Sequence, residues 1–421
     1  MSNAMGTSWF IRFAIALTFI LTSVIPSLAL DSGIEKSLIE PLPSPIVVAG
    51  SRVGFTRDRL TGRINVHLDQ LRPDHVPVLK KQRRLGTVFF SSPRNRITND
   101  DLKLLMDVPL SGLVIANARI SDRGLESLQG HPSIESITLD QTQVTDGGIA
   151  HLGTFPRLTK ISISNGQITD DGLLRIAEMK QLRSVWLYKC SRITDEGVTQ
   201  LAKLDGLERL LLNNNDKLTG RIIKPLCSLS KLHRLELDGI KLTPAECADL
   251  ATLPNLDTLS LLGTGLTDEG LQALGPLKGL KSLELQRAAI TDAGAVHLKR
   301  FEHLRSLGLS QTGIGDLGIA ELESLHDLET LGLASTKVTD AGLASVAKLS
   351  KLKSLDLDET AVTDAGVRLL RELPSLESLS VNSTKVSETE LEGLCELRPN
   401  IAVFPTPQSV LAKRLQLLNK P

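Results

Sequence analysis

From residue 85 onward the chain repeats one pattern of apolar and polar positions. In 328–351, "LETLGLASTKVTDAGLASVAKLSK", Leu328, Leu331 and Leu333 bracket variable residues, and Leu343, Val346 and Leu349 then follow at spacings of three. The next stretch, "LKSLDLDETAVTDAGVRLLRELPS" (352–375), aligns with it without gaps. The first half of each unit alternates apolar and variable residues, which predicts a short strand with one buried face. The second half carries the helical spacing and predicts one short helix. Thr339 is placed as its N-cap and Asp340 at its first position, where a carboxylate suits the positive end of the helix dipole.

The Thr of "VTD" serves as a marker. Its equivalents are Thr98, Ser121, Thr145, Thr169, Thr194, Thr219, Thr243, Thr267, Thr291, Gly315, Thr339, Thr363 and Ser387, with gaps of 23, 24, 24, 25, 25 and then 24 throughout. Internal repetition of this length decides the architecture. Consecutive strands pair about 4.8 Å apart while helix axes need about 10 Å, so the stack curves. The prediction is an α/β, right-handed solenoid: a horseshoe with a parallel sheet on the concave face and short helices on the convex face. A single unit cannot offset its own loss of chain entropy, so neighbouring units must share their buried surfaces.

The units read "LxxLxLxxC/N/TxxITDxGLxxL". Thr142, Thr264, Thr312, Thr336, Thr360 and Thr384 fill one turn column together with Cys190 and Asn215. On these residues the chain resembles the leucine-rich repeat family, specifically its ribonuclease-inhibitor-like and cysteine-containing branches, over roughly 85–404. The resemblance implies a protein-binding scaffold and leaves the partner unnamed.

The ends differ from the repeats. "WFIRFAIALTFILTSVIPSLALDS" has Arg12, an apolar run and small residues at Ala29 and Ser27, which reads as an export signal cut near Ala29; an uncleaved anchor is the alternative. The expected layout is a signal peptide (1–29), a linker and N-terminal cap (30–84), about thirteen units (85–404) and a C-terminal cap (405–421). Residues 51–84 are rich in Arg and Lys, which reads as a solvated cap surface or, alternatively, as a contact for an acidic polymer or headgroups. Lys plus Arg equals Asp plus Glu at 48 each, so no global field favours nucleic acid.

Chemistry is sparse. The nine aspartates after the marker (Asp122, Asp146, Asp170, Asp195, Asp268, Asp292, Asp316, Asp340 and Asp364) stand one per turn at helix starts, which suits capping rather than a calcium ladder. The histidines form no ligand set. Cys190, Cys227, Cys247 and Cys395 occupy columns otherwise filled by small, aliphatic or turn residues, and read as buried thiols; a Cys227–Cys247 bridge is conceivable but disfavoured by distance. No nucleophile–base pair, phosphate loop or metal spacing stands out, so no catalytic, metal or cofactor site is expected.

Residues flanking the buried strand positions point into the hollow. Trp186 and Tyr188, the latter the only tyrosine, share that face of one strand, and the next two add Arg209, Leu211, Asn213, Arg234, Glu236 and Asp238. Aromatic and Arg residues grouped within a polar rim match a binding hot spot. The competing account is that Trp and Tyr suit strands and the charges neutralise one another across the sheet. The function expected is a non-enzymatic, exported scaffold holding a protein or peptide on this sheet. Alternatives are a carbohydrate or cell-wall binding module and a substrate-receptor adaptor resembling F-box repeat proteins.

Overall fold

The computed structural model describes residues 46–48, 51–58, 61–82, 84–91 and 96–410. The export segment (1–29) and the part of the expected C-terminal cap beyond residue 410 lie outside them. The strands are β1 (Ile46–Val48), β2 (Ser51–Arg57), β3 (Ile64–His67), β4 (Leu85–Phe90), β5 (Gly112–Ala116), β6 (Ser136–Asp140), β7 (Lys160–Ser164), β8 (Ser184–Tyr188) and β9 (Arg209–Leu211). They continue as β10 (Arg234–Glu236), β11 (Thr258–Ser260), β12 (Ser282–Glu284), β13 (Ser306–Gly308), β14 (Thr330–Gly332), β15 (Ser354–Asp356), β16 (Ser378–Ser380) and β17 (Ala402–Phe404). All belong to one 17-stranded sheet in sequential order. β1, β2 and β3 pair antiparallel; from β3 to β17 every pairing is parallel.

The ladder keeps the apolar column in register: Val88, Leu113, Ile137, Ile161, Val185, Leu210, Leu235 and Leu259 lie side by side across eight strands, all fully buried. A one-residue slip would turn this column to solvent, so the hydrophobic alternation itself fixes the register. Each strand from β5 to β16 leaves through a turn with a left-handed residue, such as Asn165, Lys189 or Asn214, the position being filled by Gly239 after β10 and Gly263 after β11. Thr264, Thr312, Thr336 and Thr360, buried in the turn column, donate back to the strand, as Thr336 Oγ1 does to the Leu333 carbonyl at 2.6 Å. Asn215 links units instead: its Oδ1 accepts from the Cys190 N–H and its Nδ2 donates to the Leu187 carbonyl.

The helices begin where the marker residues predict. Thr339 is the N-cap of Asp340–Val346, and its hydroxyl accepts from the Ala341 N–H. The carboxylate of Asp340, however, serves the next unit. It accepts from the Thr363 N–H at 2.8 Å and from the Thr363 hydroxyl at 2.6 Å. The same joint connects Asp122 to Thr145, Asp146 to Thr169, Asp170 to Thr194, Asp195 to Thr219, Asp268 to Thr291, Asp316 to Thr339 and Asp364 to Ser387. Asp292 reaches the N–H of Gly315, which has no hydroxyl to offer, and Asn99 plays the part for Ser121.

This joint explains the glycine of "TDxG". A Cβ on Gly342 would stand 2.6 Å from Asp316 Oδ1, and one on Gly366 only 2.3 Å from Asp340 Oδ1, closer than real Cβ contacts come. The aspartates are thus more than dipole partners: each holds the start of a neighbour's helix, and in most joints its carboxylate fills the room a glycine leaves there, although Asp195 and Asp364 make the joint where Ile222 and Glu390 stand instead.

All four cysteines are free thiols. Cys190, Cys247 and Cys395 are buried, and burial pushes the Cys190 thiol up to about 11 and Cys247 up to about 12, so neither ionises near neutrality. Cys227 departs from expectation in being only half-buried, with its Sγ 3.2 Å from the Asp249 carbonyl.

Candidate functional site

The sheet faces the hollow as three rows of side chains, set by strand register. In the first row Lys160, Ser184, Arg209 and Arg234 stand side by side on β7 to β10. In the second, Ser162, Trp186, Leu211, Glu236, Ser260 and Glu284 run from β7 to β12. Tyr188, Asn213 and Asp238 follow at the strand ends.

The structure brings all eight candidate residues together, but not all of them are displayed. Arg209 is exposed, and Trp186, Tyr188, Asn213, Arg234 and Asp238 are half-buried. Leu211 and Glu236 retain only 8% and 9% exposure. Leu211 is closed off between Trp186 and Glu236, its partners in register. Glu236 is gripped from both sides: Arg234 donates to it through Nε at 2.7 Å and Nη2 at 2.6 Å, and Asn213 Nδ2 donates at 2.7 Å. The charge neutralisation anticipated from the sequence therefore applies to Arg234 and Glu236, and it does not reach Arg209.

Lys160 belongs to the same cluster although it is not among the eight. Its Nζ lies 4.2 Å from the centroid of the Trp186 ring, a cation–π contact. Burial, and then the like charges of Arg209 and Arg234, hold its ammonium below the ordinary lysine range. The signal was available in the sequence, since Lys160 fills the same position of its unit as Arg209 and Arg234. Lys189, in the left-handed turn after β8, places its Nζ 5.3 Å from the Tyr188 ring. Two buried donors in this region make no hydrogen bond within the chain: Trp186 Nε1 and Ser184 Oγ.

Toward β11 and β12 the sign of charge reverses. Asp238 accepts from the Ser260 hydroxyl at 2.5 Å and the Leu262 N–H at 3.2 Å, yet burial, reinforced by Glu236 and Glu284, raises its pKa to about 6. Burial also pushes Glu284 up, against hydrogen bonds from Gln286 and Ser306. Further along, burial and then the Asp358 and Glu359 charges raise Asp356.

Among the described residues no three His, Cys, Asp or Glu side chains are placed to hold a metal ion, and no helix is long and apolar enough to cross a membrane. Two shallow recesses, one lined by Arg175, Glu178 and Met179 and the other by Lys299, His303 and His326, are formed by helices and loops.

One parallel strand and one short helix per turn of about 24 residues define a leucine-rich-repeat solenoid, and the chain is a leucine-rich-repeat protein. A solved structure agrees in fold, and two others align over part or most of the chain. An internalin from Listeria monocytogenes is 22% identical, aligned over 79% of this chain and 94% of its own, with a TM-score of 0.51. A second internalin from that organism is 25% identical over 51% of this chain and 84% of its own, with a TM-score of 0.39. A leucine-rich-repeat protein from Leptospira interrogans is 18% identical over 78% and 97%, with a TM-score of 0.42. No protein-family model matches the sequence, and a search of curated proteins gives no match.

Proposed function

We propose that this protein is a non-enzymatic, exported recognition scaffold that holds a protein or peptide partner on its concave sheet, centred on Trp186, Tyr188 and Arg209. The observation that carries this reading is the cluster on β7 to β10: two half-buried aromatics on one strand, flanked by cations and by a wall of mostly small polar groups. Aromatic and Arg anchors inside a polar rim are the composition of energetic hot spots. A broad, open sheet suits a macromolecular surface better than a small substrate. Sugar stacking is the weaker reading, because Lys160 already covers one face of Trp186.

The test is crosslinking of the mature chain in its native extract with identification of what is captured. The Trp186→Ala/Tyr188→Ala double variant is expected to lose capture with an unchanged melting midpoint. Undiminished capture, or loss of capture and stability together, would refute the reading.

A further inference from the structure

We infer that the β7–β10 part of the hollow is a seat for a short acidic segment of a protein partner, bound by Lys160 and Arg209 through carboxylates. The inference rests on the scaffold reading above and adds the chemistry of what is held.

The first row supplies donors that the chain does not use. Arg234 is committed to Glu236. Lys160 and Arg209, by contrast, have no ion-pair partner among the described residues, and Lys160 has only an aromatic ring beneath its charge. Between them in register stands Ser184, 3% exposed, whose hydroxyl makes no hydrogen bond. Trp186 Nε1, one step further along the same strand face, is a second such donor. Burying a donor without an acceptor costs free energy, and crowding three cations beside one already-shared carboxylate costs more. An incoming carboxylate would relieve both penalties at once. Lys160 and Arg209 sit two strands apart, about 10 Å between backbones, and alternate carboxylates of an extended peptide are about 7 Å apart. Long, flexible Lys and Arg side chains span that difference.

Acidic groups further along the hollow limit the length of the segment. Asp238, Glu284 and Asp356 succeed one another there, and each already sits in surroundings that disfavour its charge. A long polyanion tracking the hollow leaves the cationic row after β10 and meets these carboxylates. A few acidic side chains fit; a sulfated polysaccharide or a nucleic-acid strand does not.

The experiment uses three probes on the whole mature chain at low salt, read by fluorescence anisotropy: a labelled, capped hexapeptide alternating Glu and Ser, its counterpart alternating Lys and Ser, and a heparin hexasaccharide. The Glu peptide is expected to bind best and to release as salt rises. Lys160→Gln and Arg209→Gln should each weaken it about tenfold, the size of one lost charge-assisted hydrogen bond. Arg209→Glu should shift preference to the Lys peptide, Lys160→Arg should retain binding, and Lys351→Gln, at a remote loop ion pair, should change nothing. Thermal melts of each variant establish that the fold is kept. Equal binding of the two peptides, no binding of the Glu peptide, tighter binding of the hexasaccharide, or indifference to Arg209→Glu would each overturn the inference. If the native partner's capture still depends on Trp186 and Tyr188 in any of those cases, only the acidic-segment assignment falls. Should capture not depend on them, the scaffold reading itself fails, whatever the peptides do.

Discussion

The stack from Asp268 to Ser387 and the shorter stretch from Thr219 to Thr267 have the same strand and the same marker, but they are fastened differently. In the former every unit hands a carboxylate to the next helix start. In the latter the aspartate is replaced by Gly220 and Pro244. There Thr243 turns to its own helix, its N–H and hydroxyl donating to Glu246 at 2.7 and 2.9 Å. The Glu246 carboxylate lies against Gly220, where a Cβ would meet it at 2.1 Å. Cross-strand fastening in this stretch comes from the concave face, through Asn213 to Glu236 and Ser260 to Asp238. One repeat pattern thus tolerates two ways of holding units together, and the second coincides with the β10–β11 end of the candidate site.

The strongest way to break the comparison is Gly342→Ala. The new methyl displaces Asp316 from Thr339 and from the Gly342 N–H, which it holds at 2.9 Å. We expect a loss of about 2 kcal/mol in urea unfolding, since overpacking and the lost hydrogen bonds outweigh alanine's better helix propensity. In the Asp316→Ala background the same change should be neutral or mildly stabilising, because the obstructed carboxylate is gone. Additive single effects would mean that the glycine is required for some other reason.

A second test uses pH, because the two kinds of carboxylate respond oppositely. The Ser387 N–H holds Asp364, in the jointed region, below the usual range, so its contribution is present above the unfolded pKa and is lost as pH falls through the lowered folded value. Asp238 is the reverse. Its folded pKa of about 6 exceeds the ordinary 3.8, so the native state binds more protons between those values and stability declines as pH rises across that window. Asp238→Asn should remove that decline and stabilise the protein at neutral pH by on the order of 1 kcal/mol, with the Asn oxygen still accepting from Ser260 and Leu262. Destabilisation at neutral pH relative to the parent would show that the charge is needed.

Much of this was legible in the residues, and the limits have physical causes. Strand, helix and N-cap positions follow from spacing within one unit, and Thr339 and Asp340 fall where that spacing puts them. The destination of the Asp340 carboxylate does not follow, because in a perfect repeat a contact within a unit and a contact to the next leave the same periodic trace. The only hint is the glycine two residues after each aspartate. In the hollow, alternation along the strand identifies the face carrying Trp186 and Tyr188. How far Leu211 and Glu236 are covered depends on Trp186, Arg234 and Asn213 across the sheet, and Lys160 joins the cluster only through register.

The smallest expected effect comes from supplying the missing joint. Thr267 is already an N-cap whose hydroxyl accepts from Gly270, and Gly270 already provides the clearance that a preceding aspartate needs. Only the carboxylate is absent, because Pro244 stands at the first helical position. Pro244→Asp should therefore create a joint to Thr267 and gain about 0.5 kcal/mol, charge-assisted hydrogen bonds being partly offset by the lost rigidity of proline. Gly220→Asp, the equivalent change one unit earlier, should instead destabilise, since Glu246 occupies its space; adding Glu246→Ala should recover much of the loss. If both aspartates behave alike in thermal unfolding, the joint is not what distinguishes the two stretches.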